Sequence, residues 1–145
     1  LCRHGSLQDE VRLEEALLIA NKRVPTGSSV MIISDFFNLS PEFERQLGIL
    51  SRTCDVTLIQ VNDPADKEIP VSGEIHFTDE TGQELIVNTL DLQGAQLYRK
   101  LWTAKQENLM RLVRQMRTRL ISLITNRPVS TDLFRGLVPT RKKTL

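Results

Sequence analysis

The chain has 145 residues, 40% of them hydrophobic and 26% charged, which suits one soluble globular domain rather than a disordered segment. No apolar run approaches the roughly 20 residues that span a bilayer, and no basic-then-apolar leader is present. The net charge of +1 hides a split, with 7 Lys and Arg against 16 Asp and Glu in residues 1–94 and 12 against 2 in residues 95–145.

Residues 7–22 place Leu7, Val11, Ala16, Leu17 and Ala20 near helical spacing, with Ser6 as N-cap and Asp9 and Glu10 in the first turn. Pro25 and Gly27 then break the chain. Val30 to Ile33 is a continuous apolar run, the pattern of a central parallel strand covered on both faces. Residues 39–54 read as the next helix, with Ser40 as N-cap, Pro41 at its first position and Phe43, Leu47 and Leu50 at helical spacing. A second β-rich run, 55–61, is closed by the loop "NDPADKEIP". Strand, helix and strand at this length predict a βαβ unit.

The pattern then changes. Residues 73–78 and 84–88 form two short alternating arms around "DETG", a hairpin with Gly82 available for a positive φ. One long helix follows over 94–118, with an apolar stripe of Tyr98, Leu101, Trp102, Leu109, Leu112, Val113 and Met116 that weakens around Lys105 and Gln106. Arg111, Arg114 and Arg117 fall on or beside its opposite face. Residues 120–124 make a third short strand, a final helix starts with Ser130 or Thr131 as cap, and 139–145 form a basic tail expected to fray. The order predicts an α/β fold in one domain, 1–145: a partial open parallel sheet of Rossmann type with an inserted hairpin and one long helix. Three strands are few for such a sheet, so one is expected to end as an unpaired edge.

Several chemistries are missing from the sequence. It holds no phosphate-cradling glycine loop, no GxSxG and no HExxH, and two histidines make a Ser/His/Asp or Cys/His set improbable. Cys2 and Cys54 are too few for a disulfide framework and have no metal-ligand spacing, which fits a reducing, cytoplasmic setting. Asp35 is the leading site candidate, since ligands of open α/β sheets gather at the carboxyl ends of the strands. Asn62 and Asp63 end the next strand, and Thr125 ends the third. These groups could take a hard divalent cation, or Asp35 could hold a loop while Asp63 serves an Asp-Pro turn. The basic last third invites a nucleic-acid reading, yet Tyr98 and Trp102 lie on the apolar stripe, which favours a solvated face or one docking on an acidic protein.

Three stretches, "GSSVMIISDFFNL", "VTLIQVNDPADKEIPVSGEIHFTDETGQELIVNT" and "PVSTDLFRGL", together resemble the bacterial domain-of-unknown-function-58 family, whose fold is like the von Willebrand factor A domain. The resemblance covers most of the chain from about Leu13 and matches the C-terminal half of that family's domain, and Leu1 in place of an initiating Met is expected of a piece of a longer chain. It implies binding of partners at the carboxyl edge of the sheet, in company with MoxR-type AAA+ ATPases, as a non-enzymatic adaptor. Asp35 matches one of three elements of the family's metal site, with no Asp-x-Ser-x-Ser turn to complete it. The expectation is therefore no tightly bound cofactor, a weak Mg²⁺ contact at Asp35 at most, and partner contacts at Asp35, Asn62, Asp63, Arg111, Arg114 and Arg117. A metal-dependent hydrolase and a basic nucleic-acid-binding module are the rival readings. The resemblance also leaves the strand at 29–35 without a neighbour, from which self-association through an exposed edge is expected, and allows an anchor upstream in the parent protein.

Overall fold

The computed structural model describes residues 12–67, 73–78, 84–88 and 92–137. In chain order the elements are α1 (Leu13–Arg23), β1 (Ser29–Ser34), α2 (Pro41–Leu50), β2 (Asp55–Asn62), α3 (Pro64–Lys67), β3 (Glu74–Thr78), β4 (Glu84–Asn88), α4 (Leu92–Met116), β5 (Arg119–Ile124) and α5 (Val129–Leu137). The expected cap at Ser6 and the hairpin tip "DETG" lie outside the described residues.

Local signals explain most boundaries. Ser40 caps α2, its hydroxyl accepting from the Phe43 N–H at 3.0 Å, with Pro41 at the first helical position. Between α1 and β1 the chain turns at Gly27, whose φ of +86° suits glycine and whose N–H donates to the Thr53 carbonyl at 2.7 Å. That bond joins the entrance of β1 to the entrance of β2.

β1, β2 and β5 form a parallel sheet in the order β1-β2-β5, in register from Ser29 opposite Asp55 and from Thr57 opposite Arg119. β3 and β4 form a separate antiparallel pair. One face of the parallel sheet is covered by α1, α2 and the last turns of α4, where Leu17, Phe43, Leu47, Leu109 and Leu112 pack on Ile32, Val56 and Leu58. On the other face α5 covers Ile59, Ile121 and Leu123 through Leu133. Cys54 is buried in the first of these clusters, as a small apolar group.

Four expectations are corrected here. β1 is covered on one face rather than two: Met31 and Ile33 are 57% and 66% exposed, while, as the family resemblance implied, it pairs among the described residues with β2 alone. Its apolar run lacks a second covering layer there, so sequence composition overstates its burial. Leu101, counted in the core stripe, is 56% exposed, because α4 meets the core chiefly from Leu109 onward. Ser130 and Thr131 lie inside α5, which begins at Val129, and the Thr131 N–H donates to the Pro128 carbonyl at 3.1 Å. Finally, "PADK" forms the single turn of α3 where the sequence suggested loop.

Candidate functional site at the strand-end rim

Because the three strands run parallel, β1 ending at Ser34, β2 at Asn62 and β5 at Ile124 bring Asp35, Asn62, Asp63 and Thr125 to one rim. The rim starts with a tight kink. Asp35 Oδ1 accepts the Phe37 N–H at 3.1 Å and the Ser34 hydroxyl at 3.3 Å, while Ser34 Oγ accepts the Phe36 N–H at 3.1 Å. Those bonds hold Phe36 at φ +53°, a left-handed conformation that costs a β-carbon-bearing residue about 1–2 kcal/mol. Burial offsets the strain: the Phe36 ring is 4% exposed and lies 6.1 Å, centroid to centroid, from Phe43. The kink sends the two adjacent rings in different directions, and Phe37 stands 57% exposed.

From α4, the Lys105 ammonium sits 3.0 Å from the Phe37 ring centroid, a cation–π contact. Partial burial pushes the Lys105 pKa down, and the Asp35 charge opposes that shift. Beneath the kink, the buried Gln60 donates its Nε2 to the Asp35 carbonyl at 3.3 Å. Its Oε1 has no partner among the described residues.

Asp63 works as a clip. Its Oδ2 accepts the Thr125 hydroxyl at 2.7 Å and its Oδ1 accepts the Ala65 N–H at 2.9 Å, so one carboxylate starts α3 and ties the end of β5 to the end of β2. The backbone repeats the tie, with the Thr125 N–H donating to the Asn62 carbonyl at 3.0 Å. The Thr125 and Ala65 hydrogen bonds, in that order, pull the Asp63 pKa below the ordinary carboxylate value. Thr125→Val is expected to raise it back toward that value in a carbon-detected NMR titration. The sign for stability follows from a depressed folded pKa. The clip contributes above the ordinary carboxylate range and fades as pH falls through the folded value. Wild type and Thr125→Val should therefore converge in strong acid, and a difference that persists there would contradict the assignment.

Three hollows open along this rim. A polar groove of about 880 Å³ lies beside Asp35 and is walled by Arg12, Glu14, Asn38 and Asn108. A hollow of about 40 Å³ sits between Phe37 and Trp102. A third of about 480 Å³ lies among Asp63, Lys67, Trp102, Asn126 and Arg127.

The structure brings Asp35, Asn62 and Asp63 to the rim and leaves the three arginines elsewhere. Arg111 donates to Glu44 on α2 at 3.2 Å, one contact between the acidic and basic parts of the chain. Arg114 donates back to the Met110 carbonyl, and Arg117 occupies the turn before β5 at φ +54°. Arg111 also donates to Asn108 at 2.7 Å, a wall of the groove beside Asp35, whereas Arg117 lies at the amino end of β5. Sequence reasoning passed over Phe37, Lys67, Lys105 and Arg127; the weakening of the α4 stripe at Lys105 and Gln106 was the one trace of them. Among the described residues, no group of three or more His, Cys, Asp and Glu side chains is placed to hold a metal ion. No helix among them is long and apolar enough to cross a membrane.

Fold and rim together define an α/β domain with an open parallel sheet and a polar, aromatic-bearing strand-end surface. The family described as protein of unknown function DUF58 matches residues 6–108, and the chain belongs to that family. An uncharacterized protein of Mycobacterium avium, MAV169, is 32% identical over 117 residues, which is 79% of this chain and 68% of the relative. Among solved structures, the conserved hypothetical protein BatB from Bacteroides thetaiotaomicron is similar at 18% identity and a TM-score of 0.34 over 71% of this chain. An aerotolerance-related membrane protein from Bacteroides fragilis is similar at 16% identity and a TM-score of 0.33 over 72% of it. The chain spans 58% of each of those two structures.

Proposed function

We propose that this chain is a non-enzymatic, adaptor-type interaction domain that works with a MoxR-type AAA+ ATPase on the cytoplasmic side, meeting its partner at the strand-end rim. The observation that carries this reading is Phe37, an aromatic ring 57% exposed at the end of a strained, hydrogen-bonded kink. Large aromatic side chains held outward on rigid backbone are the usual anchors of protein interfaces. The rim carboxylates support contact over hydrolysis, since Asp35 and both oxygens of Asp63 are engaged in shaping their own loops. No tightly held metal is part of this reading, because one carboxylate with water does not retain Mg²⁺ firmly.

The test is a binding titration of the chain against a MoxR-type ATPase of the same organism. Phe37→Ala is expected to weaken binding by roughly tenfold, the effect of losing one modest interface anchor. Phe134→Ala removes a ring that is 72% exposed on α5, on the opposite face, and should leave the affinity unchanged. No saturable binding, or equal loss in the two variants, would overturn the proposal.

A further inference from the structure

Two hollows of the rim share a wall. Asn62, Trp102 and Gln106 line both the small one beside Phe37 and the larger one that opens toward β5. The larger is flanked by Lys67 at the end of α3 and Arg127 in the turn after β5. Both side chains are exposed, and neither has a hydrogen-bond or ion-pair partner among the described residues. The rim thus offers two cations unengaged among the described residues beside an indole that is half-buried, with the amides of Asn62, Asn126 and Gln106 lining the same hollow.

This inventory selects a ligand chemistry. An exposed guanidinium and ammonium seek carboxylates, and arginine can take one with two parallel hydrogen bonds. The indole face seeks an apolar or aromatic group, and side-chain amides suit an extended peptide backbone. Asp63 lines the same hollow, so a continuous polyanion such as nucleic acid, charged at every step, would meet Asp63 and Asp35. A peptide can set its few carboxylates at Lys67 and Arg127 and keep them off Asp63.

We infer that the partner segment bound at this rim is an extended acidic peptide carrying an apolar side chain, its carboxylates meeting Lys67 and Arg127 and its apolar group covering Trp102. The inference rests on the adaptor reading and gives that partner its chemistry.

Trp102 is the chain's single tryptophan, so its fluorescence reports arrival at the site directly. The probes are a peptide alternating Glu and Leu, the same peptide with Gln in place of Glu, and oligo-dT. The acidic peptide is expected to give a saturable change that added salt weakens, and the Gln peptide none. Lys67→Glu with Arg127→Glu should weaken the acidic peptide by roughly tenfold or more. The unfolding midpoint of that variant checks its fold, and Lys67→Gln with Arg127→Gln serves if the charge reversal does not fold. No saturable change, equal binding of the Gln peptide, unchanged affinity in the variants, or tighter binding of oligo-dT would each overturn the inference. Titrating the ATPase against the wild-type chain separates the two failures. ATPase binding without acidic-peptide binding sinks this inference alone. Peptide binding without ATPase binding sinks the adaptor reading and leaves the peptide site standing.

Discussion

Leu58→Ala is expected to destabilise the chain by about 2–5 kcal/mol in urea unfolding, the range for a large aliphatic residue removed from a packed core. Leu58 has 0% exposure and sits on β2, the strand paired on both sides, within the cluster that joins Ile32, Leu47 and Leu112. A cavity there touches α2, α4 and the sheet at once, so few neighbours can collapse into it. One register position further along the β1–β2 pairing, Ile33→Ala provides the contrast. Ile33 is chemically as apolar but 66% exposed, and its truncation should stay within about 0.5 kcal/mol. Comparable losses in the two variants would mean that the outer face of β1 is covered in the folded chain, which would overturn the layer arrangement described above.

Gly136→Ala should also destabilise, by about 1–2 kcal/mol, against the usual preference of a helix for alanine. On propensity alone the change would favour α5 by about 1 kcal/mol. The contact decides the sign. A β-carbon at this position would lie 2.7 Å from both Cγ1 and Cγ2 of Ile121 and 3.0 Å from its Cδ1, and Ile121 is held at 3% exposure on β5. α5 must then lift off the sheet, and overpacking of that kind costs about 1–3 kcal/mol. The second arm of the test is Gly136→Ala in an Ile121→Ala background, where the obstruction is gone and the substitution should become neutral or stabilising. Stabilisation in the wild-type background would show that α5 does not seat on Ile121.

Much of this architecture was legible because its signals are local. Ser40 and Pro41 mark the start of α2, and the β-rich run from Asp55 marks β2, though not its central place in the sheet. The strand-end rule then led to Asp35, Asn62 and Asp63 without any knowledge of their contacts. What was missed depends on the third dimension. Whether the apolar run of β1 has cover on one face or two is set by which elements lie above it. Trp102 reads as core by spacing, yet the reach of α4 past its packed turns puts it at the rim. Lys67 and Arg127 stand 60 positions apart and line one hollow only because β2 and β5 end side by side. The left-handed Phe36 leaves no trace in the sequence at all, since phenylalanine seldom adopts that conformation.

That kink ties display to integrity. Phe36 is kept in its costly backbone state by the Ser34 and Asp35 hydrogen bonds and by the burial of its ring beside Phe43, and the outward pose of Phe37 follows from that bend. A copy whose helical layer has loosened would relax the bend and withdraw the outer ring, so under the proposed adaptor role a well-assembled interior becomes a condition for being greeted by the next protein.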